Sequence, residues 1–134
     1  MVTEPQPVAT APALVQKGFT QAEEEYVVRS LELRKLLTAP TIHSHSDVLD
    51  YQITVNRIWS QHADLTSSDR LDGYDSLVMR GIDSLKFGLN VWVAAMDSDF
   101  DPALPEAKKN FALAIQYFRA ADEELDRAYS NSKR

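Results

Sequence analysis

Three aspartates at alternate positions have the residue types of a metal site. Asp97, Asp99 and Asp101 have the spacing with which a calcium-binding loop begins, where alternate carboxylates converge on one ion. The rest of such a loop is missing, because Pro102 stands where the turn glycine belongs and Lys108 where the bidentate acid belongs. We interpret the stretch as a solvated turn in which Asp101 caps the next helix, with calcium binding as the alternative.

Two histidines form a second candidate metal site. His43 and His45 are two residues apart, with Asp47 close by, so their imidazoles could share a transition metal. A convincing site needs at least three ligands, and no fourth candidate lies nearby. We interpret the pair as surface histidines in a connector between helices, and we predict no metal and no cofactor for the chain.

Two polar residues fall among apolar ones on a helical wheel. His62 lies within the apolar face of the second predicted helix, and Asp122 within that of the fourth. A buried carboxylate must find partners or become protonated. Its candidate partners are His62, Arg29 at the edge of the first helix, and three tyrosines. These polar residues allow two interpretations. One is a small acid–base or ligand site, and the other is a hydrogen-bonded network that fixes helix register. The absence of an accompanying nucleophile or cofactor motif favours the network.

Composition and motifs argue against several functional classes. The 134-residue sequence contains no glycine-rich phosphate loop, no G-x-S-x-G turn and no H-E-x-x-H zinc motif. It has no cysteine, which excludes thiolate catalysis and disulfides. Its formal net charge is −6, whereas a nucleic-acid binder typically carries a basic surface. The sequence contains no run of 18 apolar residues, so it predicts no transmembrane segment. We therefore predict a protein that is not an enzyme and does not bind nucleic acid.

Apolar residues recur at intervals of three and four in four segments, which predicts four amphipathic helices. Thr20 and Glu23 form a T-x-x-E capping box at the start of the first helix. The predicted helices cover residues 21 to about 38, 47–63, 68–96 and, starting at Pro102 or Pro105, to about 129. Short connectors place consecutive helices antiparallel, so residues 19–130 are predicted to form an all-α, up-down-up-down four-helix bundle.

Residues 1–18 precede the first predicted helix and are rich in proline, alanine and threonine. With so few large apolar side chains they cannot bury much surface, so we predict a disordered, flexible leader. Such a leader is typical of an exported domain tethered to an upstream anchor, and also of a plain chain terminus. The location of the protein is left open between an exported, tethered one, which the leader favours, and a cytoplasmic one.

The third predicted helix has an unusually wide apolar arc. Beyond its main stripe the arc continues through Leu77, Gly81, Gly88, Val91 and Ala95, and its small residues recur every seven positions. The helix either touches two neighbours within its own bundle or offers a close-packing surface to another chain. As a whole the sequence predicts a non-enzymatic accessory or interaction module, with a protein partner or self-association. The alternative is a metal- or small-ligand-binding helical bundle.

Overall fold

The predicted all-α architecture is confirmed. The computed structural model describes residues 18–37, 43–96 and 103–131, and within these ranges helices joined by turns and short irregular segments are present, without a β-strand. A 3-10 turn at Asp69–Leu71 precedes the third helix. The four α-helices are α1 (Gln21–Lys35), α2 (His45–Ala63), α3 (Asp72–Met96) and α4 (Ala103–Asn131). Residues 1–17 of the predicted leader lie outside the described ranges.

The ends of α1 and α2 follow from their caps. The Thr20 hydroxyl accepts the Glu23 amide at 3.1 Å while the Glu23 carboxylate accepts the Thr20 amide at 2.9 Å, so the predicted capping box is present. At the start of α2 the Ser44 hydroxyl accepts the Asp47 amide at 3.2 Å. Helix α1 ends at Lys35, a few residues before the end at about residue 38 that the spacing of apolar residues predicted.

Side-chain pairs establish that consecutive helices run antiparallel. Gln52 of α2 donates to Asn90 of α3 at 2.7 Å, and Trp59, later in α2, donates to Asp83, earlier in α3. Residue numbers therefore rise along one helix as they fall along the other. The same antiparallel relation holds between α3 and α4 and between α1 and α4. The bundle is up-down-up-down, as predicted.

Helices α3 and α4 approach each other closely along small residues. A Cβ atom placed on Gly81 would lie 2.6 Å from the Phe118 ring, and one on Gly88 would lie 2.8 Å from the Phe111 ring and 3.1 Å from a main-chain oxygen. The facing side of α4 carries buried alanines every seven residues: Ala107, Ala114, Ala121 and Ala128. This spacing keeps one small side chain per two turns against α3, so the two backbones can meet.

The small residues on α3 therefore pack within the chain. Gly81 and Gly88, which the sequence offered as part of a possible interface with another chain, are covered by α4. Leu77, Val91 and Ala95, the other members of that set, are half-buried. The part of the wide apolar arc of α3 that contains the two glycines therefore packs against α4 within the chain.

The core takes its large side chains from three helices and the 3-10 turn, while α4 contributes mainly alanines. The buried large apolar residues include Tyr26, Leu33, Val48, Val55, Ile58, Leu71, Tyr74, Val78, Ile82 and Leu89. Half-buried Phe111, Phe118 and Leu125 of α4 pack against this core. Each lies four residues after a buried alanine, so alternating small and large residues form the buried face of α4.

The start of α1 is held by an ion pair with the turn before α3. Glu23 is 7% exposed, and its carboxylate accepts hydrogen bonds from Arg70 Nε at 2.8 Å and from Ser68 Oγ at 2.6 Å. The Arg70 hydrogen bonds outweigh burial and lower the pKa of Glu23 to about 2. Gly18, at φ +98°, is buried, and a Cβ atom placed on it would lie 3.1 Å from the Tyr129 ring.

Candidate functional site

Three polar side chains meet in the centre of the bundle, one from each of α1, α2 and α3. Ser30 Oγ lies 2.7 Å from His62 Nε2 and 2.7 Å from the Tyr74 hydroxyl oxygen. All three residues have 0% exposure. Ser30 reaches this position because it lies between Tyr26 and Leu33 on the buried stripe of α1. The hydroxyl of Ser30 thus satisfies two polar groups on two other helices at once.

Arg34 extends this network towards the surface. Its Nη1 donates to the Tyr74 hydroxyl at 3.2 Å and to Asp122 Oδ1 at 2.8 Å, and its Nη2 lies 3.4 Å from the Phe118 carbonyl oxygen. The Arg34 side chain is 14% exposed. Burial disfavours its charge, but the hydrogen bonds to Asp122 and Tyr74 raise its pKa above the ordinary value. The guanidinium is therefore a charged group fixed between α1, α3 and α4.

Asp122 does not lie in the core, where the helical wheel had placed it. Its side chain is 60% exposed and reaches inward only through Arg34. The buried stripe of α4 is the alanine stripe that includes Ala121, and Asp122 lies one residue, or about 100°, around the helix from it. His62 and Asp122 do belong to one network, although Arg34, Tyr74 and Ser30 stand between them.

Arg29 is outside this network. Its side chain is 50% exposed and its Nη1 lies 3.4 Å from Glu32 of the same helix. The role expected for Arg29 is taken by Arg34, which lies four residues after Ser30 and therefore above it on the same face of α1. Tyr26, Ser30 and Arg34 follow one another at intervals of four residues. This spacing places them on one face of α1 and could have identified Arg34 from the sequence.

The inner end of the network is incompletely paired. His62 Nδ1 lies 3.6 Å from Asp75 Oδ1, which is too long for a hydrogen bond, and the Nδ1 atom has no hydrogen-bond partner. Asp75 instead accepts the Tyr26 hydroxyl at 2.6 Å. Burial lowers the pKa of His62 despite the nearby Asp75 carboxylate, and burial together with the Asp75 hydrogen bond raises the pKa of Tyr26. Burial thus favours the neutral form of the His62 imidazole.

The order Ser30, His62, Asp75 has the composition of a hydrolase triad, in which the serine attacks and the histidine takes its proton. Here the arrangement is unsuited to that chemistry, because the Ser30 oxygen is wholly buried and is already bonded to Tyr74. A consistent direction of donation runs from Arg34 to Tyr74, then Ser30, then His62 Nε2. It leaves the imidazole proton on Nδ1, facing Asp75. The group has the properties of a structural network.

Of the candidate metal ligands, only the histidine pair with its neighbouring aspartate lies within the described residues, and it forms no metal-binding cluster there. His43 and His45 are both exposed, and the His43 amide donates to Asp47 Oδ2 at 2.8 Å. Asp97, Asp99 and Asp101 lie outside the described residues. Within the described part of the chain, no cluster of three or more histidine, aspartate or glutamate side chains could hold a metal ion.

An apolar cavity of about 390 Å³ lies beyond the end of α1, among side chains from all three longer helices. Helix α1 has 15 residues and α4 has 29, or about 22 and 44 Å at 1.5 Å per residue, so α1 leaves much of the α3–α4 pair uncovered. The cavity is lined by Leu37, Tyr51, Leu85, Leu89, Trp92, Phe111, Ala114, Ile115 and Phe118. The Tyr51 hydroxyl is bonded to the Leu37 carbonyl at 2.6 Å, which leaves a predominantly apolar wall.

A groove that carries three charged side chains adjoins this cavity between α1 and α4. Leu37 and Phe118 belong to the walls of both, and the groove adds Leu31, Arg34, Lys35 and Asp122. The apolar cavity and the guanidinium of Arg34 are thus neighbours. Sequence reasoning did not identify the cavity, because its shape depends on where α1 stops relative to α4.

No model of a protein family matches this sequence, and no curated protein and no solved structure matches it. Among the helices of the described residues, none combines the length and the apolar character needed to cross a membrane.

Proposed function

We propose that this chain is a non-enzymatic binding protein whose helical bundle takes up a small, largely apolar molecule. The observation that carries the proposal is the cavity of about 390 Å³ between α2, α3 and α4. Its volume falls within the roughly 300–1,000 Å³ typical of small-molecule sites, which are mainly apolar with a few polar groups at one side. The cavity and its neighbouring groove have that composition.

The buried polar network supports a binding role over an enzymatic one. Its serine and histidine are enclosed at 0% exposure, whereas a nucleophile must reach its substrate. The interaction module that the sequence predicted first has less support on α3, because Gly81 and Gly88 face α4. A small occupant of the cavity is therefore the function that the geometry favours.

The two tryptophans provide a test. Trp92 lines the cavity, whereas Trp59 does not. Trp59 is half-buried between α2 and α3, where it donates to Asp83 and its ring lies 4.2 Å from the Lys86 ammonium. Trp59→Phe and Trp92→Phe each leave a single fluorophore. Bromobenzene, an apolar heavy-atom quencher, should quench Trp92 emission saturably and Trp59 emission only by weak, linear collision.

A pair of variants on α4 separates cavity binding from general adhesion. Ile115 lines the cavity and is 52% exposed, so Ile115→Phe can narrow the space without overpacking the core. Leu113→Phe is the control, because Leu113 is exposed on the same helix and does not line the cavity. We expect Ile115→Phe to weaken bromobenzene binding several-fold and Leu113→Phe to leave it unchanged. Linear quenching of both tryptophans to the same degree would contradict the proposal.

A further inference from the structure

The wall between the apolar cavity and the α1–α4 groove brings a fixed cation next to an apolar space. Leu37 and Phe118 line both, and Arg34 lines the groove. The Arg34 guanidinium lies 5.3 Å from the centre of the Phe118 ring and 5.8 Å from that of Tyr74. Stacking on two rings and hydrogen bonding to the Phe118 carbonyl and Tyr74 hydroxyl hold it in place without help from Asp122.

The counter-ion of Arg34 is exchangeable. Asp122 is 60% exposed, whereas Arg34 is 14% exposed, so the carboxylate can return to water at little cost while the guanidinium stays behind. An exposed ion pair of this kind contributes little to stability. A second carboxylate that arrived at the same place would recover the same charge-assisted hydrogen bond.

We propose that the ligand is an anionic amphiphile with an apolar body and a carboxylate head. Its body occupies the cavity, and its head replaces Asp122 on Arg34. This inference rests on the proposed binding function and specifies the chemical class of the ligand. A cationic head is disfavoured because it would meet the guanidinium, and an uncharged head would leave the Arg34–Asp122 pair in place and gain no ionic contact.

The test compares three probes with the same apolar chain: octanoate, octan-1-ol and octyltrimethylammonium. Binding is measured by calorimetry and by Trp92 emission in the Trp59→Phe background. Because octanoate takes the place of Asp122 on Arg34, it should bind about two- to threefold more tightly than octan-1-ol in the native chain and about tenfold more tightly in Asp122→Asn, where no carboxylate competes. The ammonium probe should bind most weakly.

Two variants examine the head position. Asp122→Asn removes the competing carboxylate from an exposed site, so it should increase octanoate affinity several-fold and leave octan-1-ol unchanged. Glu123→Gln is the control, because it removes the neighbouring exposed carboxylate and should change neither affinity. Arg34→Met should abolish the preference for octanoate over octan-1-ol, provided that circular dichroism shows the native helix content.

The outcomes distinguish the two proposals. Equal affinities for octanoate and octan-1-ol, or tightest binding of the ammonium probe, would overturn the anionic class while leaving the cavity as a binding site. Octanoate binding that ignores Asp122→Asn would overturn the placement of the head on Arg34. Failure of all three probes to bind, together with failure of bromobenzene, would overturn the binding function itself, and this inference with it.

Discussion

Helices α4 and α1 both lie against the rest of the bundle, but different interactions hold them. Along α4, alanines and the glycines of α3 allow close contact of backbones, with Phe111 and Phe118 filling the space above the glycines. Along α1, the apolar contacts of Tyr26 and Leu33 are interspersed with buried polar contacts, which Glu23, Ser30 and Arg34 make. The α4 contact should therefore be sensitive to added atoms, and the α1 contact to the loss of a hydrogen-bonding partner.

The largest effect is expected at the closest approach of α3 and α4. Gly88→Leu should lower the free energy of unfolding by about 3 kcal/mol, because the new side chain meets both the Phe111 ring and a main-chain oxygen that cannot swing away. Urea denaturation measures the loss, and sedimentation should show no change of mass, since the glycine faces its own chain.

Gly73→Ala is the matched control for this glycine effect. A Cβ atom there would lie 3.1 Å from the end of the Glu124 side chain, which is flexible, so the better helix propensity of alanine should leave stability unchanged or slightly raised. If Gly88→Leu were as stable as the native chain, the close packing of α3 on α4 would be refuted.

The second prediction tests the polar attachment of α1 by pH. Because Arg70 lowers the pKa of Glu23 to about 2 from its ordinary value of 4.5, the unfolded chain binds this proton more readily than the folded one. The stabilisation is complete above about pH 4.5 and is lost as the pH falls towards 2. Glu23→Gln should cost about 2–3 kcal/mol at pH 7 and should remove this part of the acid sensitivity.

Urea titrations of both proteins at a series of pH values measure the difference between them. The native chain and Glu23→Gln should converge in stability as the pH approaches 2. Parallel curves, with a constant offset from pH 7 downwards, would mean that the Glu23 carboxylate is not the titrating group. Glu24→Gln, which changes an exposed glutamate in the same helical turn, should follow the native curve.

The third prediction concerns the centre of the network. Ser30→Ala deprives His62 Nε2 and the Tyr74 hydroxyl of one partner each, and should cost about 2 kcal/mol although it removes a single atom. Amide hydrogen exchange should accelerate in α1 more than in α4. Ser76→Ala, on the exposed face of α3, should have no such effect. A silent Ser30→Ala would show that α1 is held by its apolar residues alone.

The smallest effect is expected at the outer end of the same network. Asp122→Ala removes an exposed carboxylate and should cost less than about 1 kcal/mol. A buried Asp122, as the helical wheel suggested, would instead predict a loss of about 3 kcal/mol or more. Thermal melts at low and high salt distinguish the two, because the exposed ion pair should weaken with added salt.

The fold followed from the sequence because its signals are local and repeated. Three/four spacing of apolar residues, the Thr20–Glu23 box and short connectors together define the helices and their antiparallel order. The buried face of α4 was harder to predict, because Ile115 outweighs the alanines in hydrophobicity. In the structure Ile115 is 52% exposed, while Ala114 is fully buried. Where two helix backbones approach closely, only small residues fit between them. A stripe of large hydrophobic residues does not reveal the position of such an approach.

The candidate site was only partly predictable for related reasons. His62 was identified because an imidazole interrupts an apolar stripe. Ser30 also interrupts one, but a small hydroxyl is compatible with either face of a helix. Arg34 was missed because a long side chain can begin at the edge of a buried face and end far from it. The cavity depends on relative helix lengths, which no single residue specifies.

The order of the helices has a consequence for the route by which the chain folds. Helices α3 and α4 are neighbours in sequence, so their hairpin can form after closure of one short loop. The contacts of α1 with Tyr74 and Asp122 join residues 44 and 88 positions apart. We therefore expect these contacts of α1 with α3 and α4 to form after the hairpin. Removing the Ser30 hydroxyl should speed unfolding and leave the folding rate nearly unchanged, which stopped-flow kinetics can measure.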